Sequence, residues 1–252
     1  MNMQEGDFVK KKSRALDKKD ESRKGSVDSL IVELVDFINA KPDYFTTSSC
    51  SGRIVVLTTN ESENNTKHTS AKKGCKWHLV SHVAVNASDV LNCLKSAAES
   101  TRFKFEGFIM HINCRDLKSA SLMQNAALSS GFRNSGITIG KHGRNLQVAI
   151  RGTMNLEVPL MDTDGKRITS DEYIEHIVAM ANDKLTENAK KISRFNKSLH
   201  YLLQIQCQDT SKIKPRTTKT FSSDTYKVKP AKNDDIEYLI EDINTMFHDM
   251  QG

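Results

Sequence analysis

The order in which helical and β-type patterns follow one another limits the folds that are open to this chain. Five aliphatic residues recur at helical spacing after Ser26: Val27, Leu30, Ile31, Leu34 and Ile38. They predict a helix with Ser26 as its N-cap and Asp28 in its first turn, ended by Lys41-Pro42. The run Ile54-Val55-Val56-Leu57 then predicts a buried strand, because consecutive aliphatic residues suit the interior of a sheet.

Strands and helices continue to alternate as far as Gly131 and then give way to successive strands. Strands are predicted at residues 77–83 and 108–112. One helix begins at Ser88, and another spans 117–127 and is closed by Gly131. Three strands follow at 137–140, 145–150 and 154–160, the last two expected to pair, and a long helix begins at Ser170. This order predicts an α/β or α+β domain, with one mixed β-sheet flanked by helices and a C-terminal tail.

Charge divides the chain further. Residues 1–207 are expected to form the folded domain, interrupted by a long polar loop at 60–75. Residues 208–233 are predicted to be a mobile basic linker, and residues 234–252 an acidic amphipathic helix. The formal net charge of +6 suits nucleic acid or an acidic membrane surface as a partner.

Missing motifs exclude several functional classes. The chain contains no Walker phosphate loop, and Gly140 and Gly143 lie in a predicted hairpin rather than between a strand and a helix. A kinase and a Rossmann-type dehydrogenase are therefore not expected. Five cysteines without a CxxC pair predict neither a disulfide framework nor a structural zinc site. Without a signal segment or a run of membrane-spanning length, the protein is expected in the cytosol or nucleus.

A polar segment between the first helix and the strand at 54–57 is the strongest candidate for binding a ligand. Its residues are Ser48, Ser49, Cys50, Ser51, Gly52 and Arg53. Predicted to be a loop, it offers backbone N–H groups, hydroxyls and a guanidinium to an anionic or polar ligand. An ordinary polar loop is the alternative. Cys50 is also a candidate nucleophile with His82 as its base, as in a cysteine hydrolase, although its neighbours match no protease signature.

Two further segments and one arginine are expected to share a cleft with this loop. They are Lys76, Trp77, Ser81 and His82; Gly131, Arg133, Ser135 and Gly136; and Arg151. These residues lie at ends of predicted elements, where open α/β sheets place ligands. Purely structural roles are the alternative: a helix cap for Gly131, a salt bridge for Arg133 and a hydrogen-bonded strand histidine for His82.

The same residues, in their sequence context, carry a family resemblance. The segments concerned are Tyr44-Phe45-Thr46-Thr47-Ser48-Ser49-Cys50-Ser51-Gly52-Arg53, Trp77 with Ser81-His82, and Gly131-Phe132-Arg133-Asn134-Ser135-Gly136 with Ala149-Ile150-Arg151. They resemble the wybutosine-synthesising methyltransferase family over most of residues 8–204. The resemblance implies an S-adenosylmethionine-dependent N-methylation of the tricyclic base beside the anticodon of phenylalanine tRNA, at the N4 nitrogen of the demethylwyosine intermediate.

The resemblance also implies partners and roles. S-adenosylmethionine would bind without the usual glycine loop, tRNA would be the macromolecular partner, and a cytoplasmic monomer without a metal is expected. Segment 48–53, with Arg133 and Arg151, would contact the cofactor carboxylate or a tRNA phosphate, and Trp77 would stack on the base or lie near the sulfonium. His82 is the candidate general base. A non-catalytic tRNA-binding module is the alternative function.

Overall fold

The computed structural model describes residues 3–18, 25–58, 75–97, 99–141 and 145–212. The helices are α1 (Met3–Leu16), α2 (Val32–Ala40), which follows a 3₁₀ turn at Ser29–Ile31, α3 (Ala87–Lys95), α4 (Leu117–Ser129) and α5 (Asp171–Lys212). The strands are β1 (Tyr44–Cys50), β2 (Arg53–Thr58), β3 (Lys76–Ser81), β4 (Thr101–Glu106), β5 (Ile109–Cys114), β6 (Gly136–Ile139), β7 (Leu146–Arg151) and β8 (Asn155–Met161).

The strands form two four-stranded sheets rather than one mixed sheet. The first sheet has the order β1-β5-β7-β6 and the second β3-β2-β4-β8. Every pair of neighbouring strands is antiparallel. The α+β class with flanking helices is therefore confirmed, and the non-Rossmann topology with it. The prediction that the strand at 154–160 pairs with the one at 145–150 is wrong, because β8 pairs with β4 in the second sheet.

Three strand pairs run from one sheet into the other, and this explains the position of β8. β1 continues into β2 through Ser51-Gly52, β5 follows β4 through Gly107-Phe108, and β8 follows β7 through residues 152–154. We call these three connections together the bend. They lie side by side: the N–H of Gly152 donates to the carbonyl of Phe108 at 2.7 Å. At Gly52, φ is +98°, and a Cβ would lie 2.9 Å from the Asn188 carboxamide, so only glycine fits.

The long helix α5 packs against both sheets. One core lies between the first sheet and helices α2, α4 and α5, to which α5 contributes Ile192, Phe195, Leu199 and Leu203. The other core lies between the second sheet and helices α3 and α5, to which α5 contributes Ile174, Ile177, Val178 and Ala181. The predicted start of this helix after Ser170 is confirmed. The helix continues to Lys212, past residue 207 where the folded domain was expected to end.

Asn188 lies on α5 between the two cores and connects the helix to the bend. Its side chain is fully buried. Its amide nitrogen donates to the Ser51 carbonyl at 2.7 Å, and its amide oxygen accepts from the Phe108 N–H at 2.9 Å. Two backbone groups that have left the β-ladders are thus satisfied by one side chain. A buried backbone group without a partner would cost free energy, so this carboxamide stabilises the bend.

The beginnings of two helices differ from the prediction. Asp28, not Ser26, precedes the 3₁₀ turn, and its carboxylate accepts from the Ser51 N–H at 2.8 Å. Val27 and Leu30 are exposed rather than part of the core. At α3 the N-cap is Asn86, not Ser88, and its N–H donates to the Asp89 carboxylate. At α3 this bond belongs to a capping box, whereas Asp28 bonds the distant Ser51 backbone and does not cap its own turn.

Segment 48–53 is not a loop, and one strand was not predicted. Ser48, Ser49 and Cys50 belong to β1, Ser51-Gly52 is the turn at the bend, and Arg53 begins β2. The end of β1 was not predicted because its residues are small and polar. Such residues are possible in this strand because one of its faces is not covered by a core. Strand β4 was missed although Arg102-Phe103-Lys104-Phe105 alternates in the way that a half-buried strand requires.

Some predicted features lie outside the described residues: the polar loop except for Cys75, most of the basic linker and the acidic amphipathic helix. Among the helices that are described, none combines the length and the apolar character needed to span a membrane.

Replacing Asn188 by Ala is expected to lower the free energy of unfolding by roughly 2–5 kcal/mol, because two buried backbone groups lose their partners. Asn182→Ala is the matched control: it lies on the same helix and bonds the backbone of Val85, but is only half buried. Its loss should be smaller, about 1 kcal/mol. Urea unfolding followed by circular dichroism measures both, and equal losses would contradict the role of Asn188 at the bend.

Candidate functional site at the bend

A cleft of about 530 Å³ opens at the bend, where the two sheets meet. Its wall includes the predicted site residues Cys50, Arg53 and Arg151, together with Glu106 and Ile109. Gly107 and Gly152, from two of the three connections, also lie in its wall. A second depression, lined by α3 residues with Arg167 and Asp171, contains none of the predicted site residues. The bend is therefore the better candidate for a ligand site.

Arg53 is held in a fixed orientation at one side of the cleft. Its Nε donates to Glu106 Oε2 at 2.7 Å, and its Nη2 lies 2.7 Å from the same oxygen. Its guanidinium carbon lies 4.9 Å from the centre of the Trp77 ring, a cation–π distance. Trp77 therefore contacts the site through Arg53. The ion pair supplies a positive and a negative group side by side, already oriented.

Arg151, at the end of β7, is exposed and opposite Ile109 in the first sheet. Within the part of the chain that the structure describes, no carboxylate forms a salt bridge with its guanidinium. Its backbone N–H donates to Ser135 Oγ at 3.4 Å, which places the segment after α4 beside the end of β7. Arg151 is thus well suited to bind an anionic group of a ligand.

His82 belongs to a compact polar cluster next to the cleft. Its Nδ1 donates to the Gly52 carbonyl at 2.9 Å and lies 3.3 Å from Asp28 Oδ2. In the neutral imidazole these contacts place the proton on Nδ1 and leave Nε2 as the proton acceptor. One donor atom each of Asp28, Cys50 and His82 lies within 4.8 Å of the others, so the cluster adjoins the wall of the cleft.

Cys50 is poorly suited to act as a nucleophile. Burial raises the pKa of its thiol, and the carboxylates of Asp28 and Glu106 add to the effect, against the hydrogen bond from Gly52 and the charge of Arg53. The thiolate, which is the reactive form, is therefore scarce near neutral pH. Cys50 is a residue of the cleft wall, and the raised pKa of its thiol disfavours a cysteine hydrolase.

His111, which was not among the predicted site residues, lies one strand row away from Cys50 and Arg151 of the cleft wall. It lies in the middle of β5 and shares a 2.9 Å hydrogen bond between its Nδ1 and Ser48 Oγ. Burial lowers the pKa of its imidazole, and the positive charge of Arg151 lowers it further. The signal was present: a histidine between Met110 and Ile112 in a strand must face away from the core that these two residues enter.

The other predicted residues lie at different distances from the cleft. Ser135 and Gly136 follow α4 and reach the first sheet, where Gly136 pairs with Ala149. Gly131 closes α4 with a φ of +91°, so its helix-cap role is confirmed. The remaining residues lie on the surface away from the cleft wall or along an edge strand: Ser49, Lys76, Ser81 and Arg133. Ser81 makes a local turn with Val83, and Lys76 pairs with Thr58 at the far end of β2.

Comparison with known proteins identifies the family. A family model described as "Methyltransferase TYW3" matches residues 10–201. The chain belongs to this family. The predicted resemblance and enzyme class are confirmed, and the non-catalytic alternative is not supported. The assignments of individual site residues stay predictions.

The similarity to known relatives and to a solved structure extends over most of the chain. A mouse (Mus musculus) protein, "tRNA wybutosine-synthesizing protein 3 homolog", is 43% identical over 213 residues, covering 83% of this chain and 80% of the relative. "tRNA wybutosine-synthesizing protein 3" of Saccharomyces cerevisiae is 37% identical over 200 residues, covering 69% and 71%. The solved structure of the PH1069 protein from Pyrococcus horikoshii superposes with a TM-score of 0.67 at 30% identity, covering 80% of this chain and 100% of that one.

The environment of His111 predicts its titration. In a nuclear magnetic resonance titration, its pKa should lie below the ordinary histidine value of about 6.5. Arg151→Gln removes a positive charge and should raise this pKa, since the imidazolium is then less repelled. The pKa should remain below the ordinary value, because burial is the larger cause. Arg133→Gln is the control and should leave the titration unchanged. A pKa of His111 that does not respond to Arg151→Gln would contradict this arrangement.

Proposed function

We propose that this methyltransferase transfers a methyl group from S-adenosylmethionine to the N4 nitrogen of 7-(3-amino-3-carboxypropyl)-4-demethylwyosine, beside the anticodon of phenylalanine tRNA. Membership of the family supports the reaction class. The names of the relatives, which are described as tRNA wybutosine-synthesizing proteins, support the substrate. The observation that carries the proposal is the cleft at the bend, which brings Cys50, Arg53 and Arg151 from three strand ends into one wall.

The residues of the cleft fit S-adenosylmethionine. The methionine part of this cofactor carries a carboxylate and an ammonium group, and the cleft offers groups of both signs: Arg151 and Arg53 for the carboxylate, Glu106 for the ammonium. The volume lies within the range of about 300–1,000 Å³ that is usual for small-molecule sites. When bound, the cofactor supplies an electrophilic methyl group on a sulfonium.

The contribution of the chain to the reaction is chiefly orientation. A rigid cleft wall that fixes the methyl donor against the acceptor nitrogen lowers the entropic part of the barrier. Arg53 suits this role because its ion pair with Glu106 and its contact with Trp77 hold it in place. The strand end and turn that carry Cys50 and Arg53 into the wall consist of Ser48, Ser49, Ser51 and Gly52.

His82 is the proposed general base for an acceptor nitrogen that carries a proton. With Nδ1 donating to the Gly52 carbonyl, Nε2 is free to accept the proton. The Asp28 carboxylate, 3.3 Å from Nδ1, stabilises the imidazolium that forms. Asp28 is itself anchored by the Ser51 N–H, so the base and the turn of the cleft wall are positioned together.

The remaining surface suits the nucleic acid. Arg133 and Lys76 are proposed to contact tRNA phosphates rather than the cofactor, as charges outside the cleft would. We further propose a cytoplasmic monomer whose catalytic domain ends with α5, in which the rest of the basic segment 208–233 is a linker that adds to tRNA binding and the acidic segment 234–252 is a separate element.

A methyl-transfer assay tests the proposed function. Phenylalanine tRNA from cells that lack this protein is incubated with the enzyme and S-adenosylmethionine, and the modified base is analysed by mass spectrometry. A gain of one methyl group, dependent on the cofactor, is expected. Arg151→Ala should raise the KM for the cofactor about tenfold or more, while Arg167→Ala, in the second depression, should not change it. No mass gain with wild-type enzyme would refute the proposal.

His82→Gln is expected to lower kcat by about 100-fold or more at saturating substrates, as the loss of a general base does. Asp28→Asn should lower kcat less, since the accepting nitrogen Nε2 of His82 remains. The thermal midpoints of both variants, compared with that of the wild type, show whether the fold is retained. A folded His82→Gln enzyme with wild-type turnover would remove His82 as the base.

A further inference from the structure

The cleft at the bend extends beyond the groups that are proposed to hold the cofactor. Its wall continues along the second sheet to Lys104 and Glu157, which the proposed cofactor contacts do not use. Lys104 on β4 pairs with Glu157 on β8, and Glu106 on β4 pairs with Asn155 on β8. Residues two apart in a strand lie on the same face, about 7 Å from each other. Lys104 and Glu157 therefore form a second row of the wall, one row beyond Glu106.

This row lies on the face of the second sheet that is turned away from the core. Phe103 and Phe105 on β4 are buried in the core of that sheet. Successive side chains of a strand point to opposite faces, so Arg102 and Lys104 point to the other one. The side chain of Lys104 is 23% exposed and that of Glu157 is 44% exposed. A ligand in the cleft can therefore reach both.

Glu157 is shared by two cations. Its Oε1 lies 2.9 Å from Lys104 Nζ and 3.0 Å from Arg102 Nη1. The hydrogen bond from Lys104 lowers the pKa of Glu157, and the one from Arg102 adds to this against the effect of burial. The carboxylate is thus ionised near neutral pH, and one negative charge lies between two positive ones. We call Arg102, Lys104 and Glu157 the charged cluster.

The charged cluster matches the two charges of an amino acid group. A lysine and an arginine together carry more N–H donors than one carboxylate can accept, so a carboxylate of a ligand can bind them as well. An ammonium of the same ligand can donate to Glu157. Ion pairs that are partly exposed contribute little to stability, so exchanging some of their bonds for those of a ligand costs little.

The proposed reaction brings two amino acid groups into the site. S-adenosylmethionine carries a 3-amino-3-carboxypropyl group on its sulfonium, and the proposed acceptor base carries the same group at position 7. Two ligands with the same zwitterionic group need two sets of complementary charges. The ion pair of Arg53 with Glu106 is one such set in the cleft, and the pair of Lys104 with Glu157 is another.

We propose that Arg102, Lys104 and Glu157 bind the 3-amino-3-carboxypropyl group of the tRNA base. The set nearer the bend, with Arg53 and Glu106, is left for the same group of the cofactor. The inference rests on the proposed function for the identity of the base. The charged cluster is then a specificity site, because a base without the amino acid group leaves these charges unmatched and binds less tightly.

Removing charges from the cluster tests the proposal by binding, without catalysis. Two phenylalanine tRNAs are compared, one with 7-(3-amino-3-carboxypropyl)-4-demethylwyosine and one with 4-demethylwyosine, which lacks the amino acid group. The wild type should bind the first about tenfold more tightly, as hydrogen bonds between charged groups contribute. Glu157→Gln and Lys104→Met should each lose most of this preference and keep the wild-type affinity for S-adenosylhomocysteine.

Glu187→Gln is the matched control. Glu187 lies on α5 outside the cleft wall, pairs with Arg194 at 3.2 Å and is 43% exposed, much like Glu157. This variant should keep the wild-type preference between the two tRNAs. The thermal midpoints of all three variants should stay near that of the wild type, since such ion pairs contribute little to stability. If one cluster variant does not fold, the other provides the same test.

The outcomes separate the charged cluster from other roles and from the proposed reaction. An undiminished preference in folded Glu157→Gln or Lys104→Met overturns the proposal. Equal weakening of both tRNAs by Lys104→Met assigns this lysine to a phosphate, and weaker binding of S-adenosylhomocysteine assigns it to the cofactor; either result overturns the proposal.

The wild type provides the remaining comparison. Equal binding of the two tRNAs by the wild type overturns the charged cluster as a specificity site. A preference that the cluster variants lose, in a protein whose wild type transfers no methyl group, supports the charged cluster and refutes the proposed reaction. The failure of one proposal is thus distinguishable from the failure of the other.

Discussion

The carboxamide of Asn188 bonds two strand connections that no β-ladder satisfies, and the architecture of the site depends on it. It accepts from Phe108 and donates to Ser51, so helix α5 is fixed to the bend between its two cores. The Ser51-Gly52 turn carries the carbonyl that orients His82 and the N–H that anchors Asp28. One buried side chain thus links the stability of the fold to the position of the proposed base.

Much of the fold follows from local pattern, whereas the relation between the sheets does not. The aliphatic run at 54–57 and the helical spacing after Ser170 are strong signals, and both are confirmed. The place of β8 depends on the bend, where adjacent strands in the sequence cross into different sheets. The spacing of residues along the sequence also does not show that Asp28 bonds the Ser51 backbone rather than belonging to the first turn of a helix. Such bonds are decided by tertiary contacts, which override local propensity.

The residues of the cleft wall could be predicted from the sequence, but their arrangement could not. Cys50, Arg53 and Arg151 were candidates and do meet. The sequence indicates on which face of its strand His111 lies, but its proximity to Ser48 and Arg151 depends on the order of the strands. The structure also separates two kinds of charge. Arg53 is paired and rigid, which suits orientation, and Arg151 is exposed at a strand end, which suits an incoming anion.

The central claim is that the cofactor binds at the bend, and hydrogen–deuterium exchange with S-adenosylhomocysteine measures this most directly. Slower exchange is expected in peptides that contain residues 50–53, 106–109 and 151–155, with no change in α3 or around Arg167. Protection of α3 and its neighbours, with unchanged exchange at the bend, would place the cofactor in the second depression and contradict the account.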